Sequence, residues 1–160
     1  VGFSDNLAVG SFEEMLSYLR YFAPPQRLRA LRDTAPEFRG LAWAEFLRET
    51  DPVASTPEHE GLRDYFGRIE EANERFREEG GRGWLTDRGM VLVGLGRPDQ
   101  IIEQASSNPS QRNRVQIWEY RQHGAELVFV DQTGFGRWRL TQGSEAEFQS
   151  IIRRVQLQER

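Results

Sequence analysis

Carboxylates are the one plentiful catalytic material in this chain, with 25 Asp and Glu against two histidines and no cysteine. Asp87, Asp99 and Asp131 fall around the segments that read as a sheet. A pair of acids flanking a scissile bond is what a glycosidase uses, one protonated to donate and one ionised to attack or to activate water. Arginines stand close to the same acids in sequence, so salt bridges and turn bonds account for them without a reaction. The lack of cysteine removes thiolate nucleophiles, disulfides and Cys-based zinc or iron–sulfur sites together.

The other reactive residues are sparse. His59 precedes Glu60 in the first turn of a predicted helix, but no second histidine follows four residues on, so a zincin site is not formed. His123 sits in a predicted hairpin turn, and surface or capping roles suit both histidines. No Gly-x-Ser-x-Gly elbow is present, and no Ser–His–Asp set can be assembled. Gly94, Gly96 and Asp99 follow an apolar run in the manner of a dinucleotide loop. Asp99 occupies the third glycine position and Pro98 interrupts the helix start, and an acid there repels pyrophosphate. The inventory implies a protein that is not an enzyme and holds no cofactor or metal.

Binding chemistry is the alternative. Ile117, Trp118, Tyr120, Phe129 and Trp138 would make a stacking platform for bases or sugars, with Arg137 and Arg139 beside Trp138. The net charge of −4 and the lack of other basic clusters argue against nucleic acid, and core packing explains the rings. All 21 basic residues are arginine, which fits a compositional bias and also an arginine-rich docking surface.

These residues need elements to hold them. Ser11 to Glu14 is a capping box opening a helix whose stripe is Phe12, Met15, Leu16, Leu19 and Phe22, stopped by Pro24-Pro25. A short helix over 26–32 follows, then one from near Pro36 through Phe38, Leu41, Ala42 and Phe46 that ends before Asp51-Pro52. Thr56-Pro57 opens the best helix, with Leu62, Tyr65, Phe66, Ile69, Ala72, Asn73 and Phe76 on one stripe and Gly80-Gly81 at its end. Met90 to Leu95 is apolar on both faces and predicts a central strand. A short segment, 100–104, precedes a polar loop over 106–113. Strands over 115–121, 126–131 and 136–141 are joined at His123-Gly124 and Thr133-Gly134. Ser144 to Glu147 reads as a second capping box opening the last helix. The fold class is α+β: N-terminal helices, an antiparallel meander of about four strands, and a C-terminal helix.

Residues 11–160 read as a single domain behind an N-terminal arm, Val1 to Gly10. No run approaches the ~20 apolar residues that span a bilayer. A chain opening at Val1 fits a cleaved signal peptide, and equally a trimmed terminus.

The run Gly83-Trp84-Leu85-Thr86-Asp87-Arg88-Gly89, with Gly96, Pro98 and Asp99 after it, resembles the signature of the bacterial GWxTD domain. Trp43, Phe46, Arg48, Asp51-Pro52, Thr56-Pro57 and Glu60 match its earlier segment, and Arg68, Ala72-Asn73 and Phe76 its long helix. Trp118, Tyr120, Phe129, Asp131, Gly134 and Gly136 match its sheet, so the likeness covers roughly residues 40 to 141. His59 departs where the family tends to have Asn, and Leu95 where an aromatic precedes the glycine. The family carries no established activity, and its members look exported, which implies a periplasmic or envelope location. The signature itself reads as a structural corner, with Arg88 pairing to Asp87, Asp99 or Asp131.

Together these features imply a non-catalytic accessory subunit that docks on protein subunits of a larger, membrane-anchored assembly. It would lie peripheral to the membrane without spanning it or binding nucleic acid. Val1, Phe3 and Leu7 of the arm, with Arg137 and Arg139, are the expected docking residues. The alternative is a glycan or small-molecule binding domain, with an acid pair drawn from Asp87, Asp99 and Asp131.

Overall fold

The computed structural model describes residues 11–55, 57–77, 82–105, 108, 110 and 113–158. The expected docking residues Val1, Phe3 and Leu7, the Thr56 cap and the Gly80-Gly81 helix stop lie outside them. The chain forms two compact units, Val1–Gly67 and Arg68–Arg160.

The first unit is helical. Helix α1, Phe12–Tyr18, is capped by Ser11, whose Oγ accepts the Glu14 N–H at 3.1 Å. The predicted stripe continues to Phe22 only as turns, with the Phe22 N–H bonded to the Leu19 carbonyl. Helix α2, Pro25–Asp33, begins with proline in its first turn, where the missing N–H costs nothing. A 3-10 turn, Pro36–Phe38, leads into α3, Arg39–Thr50. Helix α4, Glu60–Arg75, contributes its first turns to this unit. His59 occupies its cap: Nδ1 accepts the Leu62 N–H, and Nε2 meets Thr50 Oγ1, both at 3.0 Å. Leu16, Leu19, Phe46, Leu62 and Tyr65 are buried, and Phe22 packs edge-on against both Phe46 and Tyr65. The Tyr65 hydroxyl donates to the Tyr18 carbonyl, giving this aromatic core its polar tie.

The second unit holds the rest of α4, α5 (Asp87–Leu95), four strands and α6 (Gln142–Gln158). Strands β1 (Gln100–Ala105), β2 (Arg114–Tyr120), β3 (Ala125–Asp131) and β4 (Arg139–Leu140) form an antiparallel sheet in the order β1-β2-β3-β4. The architecture is therefore α+β, helices first, then a four-stranded meander and a C-terminal helix. Register sets Trp118 opposite Leu127 and Tyr120 opposite Ala125 on one face, and all four are buried. Phe129 shares that face, its ring centroid 4.8 Å from that of Trp118, and the ring of Phe76, the residue after α4, lies 6.0 Å from Trp118. Outermost β1 is exposed at all six positions.

Three expectations are corrected. Met90 to Leu95 is not a strand but most of α5. A wholly apolar run carries no period to separate buried strand from buried helix, and here Thr86 caps it and Gly96 ends it. The first strand is instead Gln100–Ala105, where the polar, exposed QIIEQA shows no apolar alternation. Ser144 is not a cap either. The last helix starts at Gln142, the Ser144 N–H donates to Thr141 Oγ1 at 3.3 Å, and Ser144 Oγ accepts the Val128 N–H at 2.9 Å.

Candidate functional site

The run from Gly83 to Gly89 is a double turn that requires two glycines for lack of room rather than for unusual dihedrals. A Cβ on Gly83 would lie 2.0 Å from the Ala72 carbonyl oxygen, and one on Gly89 would lie 1.8 Å from that of Gly83. The 3-10 turn Gly83–Leu85 thus rests directly on the α4 backbone, and the first turn of α5 rests on the 3-10 turn. Asn73 accepts the Trp84 backbone N–H through Oδ1 at 3.0 Å, and the buried indole fills the space beside it. Thr86 joins the two turns: its hydroxyl donates to the Gly83 carbonyl at 2.7 Å and accepts the Gly89 N–H at 3.0 Å. That is an N-cap with both hydroxyl capacities used.

Asp87 begins α5 and turns its carboxylate onto the sheet. Its Oδ2 accepts the Leu140 N–H at 2.7 Å, while the next amide along, that of Thr141, bonds back to the Val128 carbonyl of β3. Alternation of amides along a strand means that the Leu140 N–H points away from β3. Asp87 therefore stands where a fifth strand would supply a carbonyl.

Arg88 lies among aromatic rings. Its guanidinium lies 4.6 Å from the Phe76 ring centroid and 5.2 Å from that of Trp138. Arg75 covers Phe76 at 5.3 Å and Arg114 covers Trp138 at 5.0 Å, so three arginines and two rings alternate. Burial first, then repulsion from Arg75, brings the Arg88 pKa down to about 10, with Glu103 opposing the fall. Arg88 stays charged at neutral pH.

Arg114 is the cation that meets Asp131, at 3.1 Å, as their opposed register positions require. Asp131 is fully buried and braces the β3–β4 connection. Its carboxylate accepts the N–H groups of Thr133, Gly134 and Gly136 and the Thr133 hydroxyl, at 2.7–3.2 Å. Gly134 and Gly136 adopt φ of 75° and 93°, the left-handed region that only glycine enters freely. Burial alone would raise the Asp131 carboxyl, but the Thr133 hydroxyl, the Gly136 amide, Arg114 and the Gly134 amide together hold it at about 2.

A second cluster lies elsewhere on the sheet. Gly96 ends α5 with φ of 80°, and its carbonyl accepts the buried Tyr120 hydroxyl at 2.7 Å. Burial pushes that phenol up. After Pro98, the Asp99 N–H donates to the Glu119 carbonyl and Asp99 Oδ2 accepts the Arg121 N–H at 2.7 Å, clamping the entry of β1 to the end of β2.

The twelve signature residues therefore fall into two groups. Gly83, Trp84, Thr86, Asp87, Arg88, Gly89 and Asp131 gather near β4. Gly96, Pro98, Asp99 and Tyr120 gather near the end of β2, with Trp118 in the core between. Asp99 and Asp131 sit at opposite ends of β2, whose seven residues separate them by about 20 Å. Asp87 lies nearer to Asp131, but each of the three carboxylates accepts backbone amides. Among the described residues, no three of His, Asp and Glu group as metal ligands, and no helix is long and apolar enough to cross a membrane.

Arg137 and Arg139 are exposed, on either side of buried Trp138. Sequence reasoning missed Arg114 as the partner of Asp131 and Asn73 as the brace for Trp84. Counting outward from the turn at Gly124 pairs Tyr120 with Ala125 and so Arg114 with Asp131. That register was available in the sequence. The Asn73 contact had no local signal, because it joins residues 11 positions apart across a turn.

The family model for the GWxTD domain matches residues 7–135 of the chain. No curated protein and no solved structure matches it.

Proposed function

The chain belongs to the GWxTD-domain family, and from that premise we propose that it is a non-catalytic accessory or scaffolding subunit. It docks on a larger, membrane-anchored assembly at the periplasmic face of the envelope. One observation carries the reading: the hydroxyl and carboxylates of the signature are bonded to the chain's own backbone, whether buried as in Thr86 and Asp131 or exposed as in Asp99. Thr86 is bonded to Gly83 and Gly89, Asp87 to Leu140, Asp99 to Arg121, and Asp131 to its own loop. Residues so occupied support a surface, and the surface does the work. The N-terminal arm and the exposed Arg137 and Arg139 are the contacts we assign to docking. The envelope address rests on the exported character that the family resemblance implies.

Affinity purification of the tagged chain from detergent-solubilised native envelopes tests this. The expected result is a defined complex containing membrane-anchored subunits in fixed stoichiometry. Recovery of the chain alone, monodisperse, would overturn the reading.

A further inference from the structure

The β3–β4 connection is densely hydrogen-bonded, and it carries an exposed apolar side chain. Asp131 gathers the backbone of residues 133–136, and the Phe135 N–H is tied to Thr133 Oγ1 at 3.0 Å. Phe135 is nonetheless 74% exposed. Beyond it the chain alternates: Trp138 and Leu140 turn inward, and Arg137 and Arg139 turn out. Both arginines line a groove of about 330 Å³, together with Val130, Gln132, Thr133 and Thr141. Arg137 makes no ion pair with a described residue. Apolar Val130 flanked by two arginines, with an exposed aromatic ring on the same connection, matches the composition of a binding hot spot.

We propose that this groove seats an extended acidic segment of a partner protein. Arg137 and Arg139 stand two residues apart, about 7 Å along a strand, which is the spacing of alternate side chains in an extended peptide. An acidic-x-acidic sequence places one carboxylate on each guanidinium, each able to bond in a forked, charge-assisted pair. An aliphatic neighbour lies on Val130, and Phe135, exposed on the same connection, folds over the bound segment. Preorganisation by Asp131 lowers the ordering cost of binding. An anionic bilayer offers the same charge, but its surface cannot enter a concave groove, and a single phenylalanine inserts little apolar area. This inference rests on the docking reading above and names the chemistry of its partner.

The whole chain is titrated into a fluorescein-labelled peptide, Gly-Glu-Leu-Glu-Val-Glu-Gly, and anisotropy is followed at low and high salt. The Glu→Gln peptide and phosphatidylglycerol vesicles serve as parallel probes. Arg137→Gln/Arg139→Gln is expected to weaken peptide binding about tenfold or more. Arg29→Gln/Arg32→Gln, two exposed arginines of α2, changes net charge equally and leaves binding within twofold. Phe135→Ser weakens it without altering the salt dependence. Equal losses in both arginine pairs, binding to vesicles but not to peptide, or no peptide binding would each overturn the proposal. The envelope purification separates the two levels. If Arg137→Gln/Arg139→Gln still recovers the full complex, docking stands and this groove is not its seat.

Discussion

At the scale of single residues, close approach and buried charge dominate. Gly89→Ala adds a methyl group against a backbone carbonyl that no rotamer change can move, so the protein is expected to lose about 3 kcal/mol in urea unfolding. Gly83→Ala meets the same obstruction on α4 and belongs to the same range. Asp131 is a case of charge. Asp131→Asn keeps one acceptor for the Thr133 and Gly134 groups but loses the ionised pair with Arg114 and the Gly136 amide bond, an expected cost of about 2–4 kcal/mol. The pH dependence has a definite sign. An acid held at about 2, against 3.8 for the free side chain, stabilises the fold above pH 4 and loses that contribution as pH falls from about 4 to about 2. The contribution amounts to about 2 kcal/mol. Acid titration followed by tryptophan fluorescence should show this component in the native protein, and Asp131→Asn should lack it.

At the scale of elements, legibility depended on whether a segment's burial followed a period. Helix α4 was readable because Leu62, Tyr65, Phe66, Ile69 and Phe76 recur on one stripe and are all buried. The hairpin of β2 and β3 was readable because β3 alternates buried and open positions with a turn before it. Helix α5 was misread because Val91, Leu92 and Val93 are all buried, as in a central strand. What distinguishes it is its ends, a Thr86 cap and a left-handed Gly96, and both signals stand in the sequence. Strand β1 had no apolar period, since its six side chains are exposed and its pairing with β2 rests on backbone and on the polar contacts of Glu103 with Gln116 and Arg114. The ends make α5 testable. Gly96→Ala must hold φ of 80° and crowd the Arg68 guanidinium, whose nearest atom would lie 3.2 Å from the new Cβ. A loss of about 1–2 kcal/mol in thermal or chemical unfolding is expected. Thr86→Ala, which removes the cap at the other end, costs a similar amount.

At the scale of the whole molecule, stability arises from two aromatic cores built without disulfides. Phe22, Phe46 and Tyr65 anchor the first unit, and Trp118, Phe129 and Phe76 the second. Neither unit gathers metal ligands among its described residues. Treatment with EDTA is therefore expected to leave the melting temperature within about 1 °C of the untreated protein, whereas a structural metal would lower it steeply. The candidate site was legible to the same degree as the elements. The signature residues could be named, but their division between β4 and the end of β2 could not, because it follows from strand register and from the correct element order.

The Asp87 contact has a consequence for assembly of the wrong kind. A sheet margin that is left uncapped can recruit a neighbouring chain. With the β4 margin sealed by a carboxylate, β1 is the one open margin among the described residues, and capture through it alone would end at a pair. Asp87→Ala would leave every copy with two dissimilar adhesive margins, which is the requirement for head-to-tail growth without closure. A single carboxylate thus separates a self-limiting encounter from a fibre.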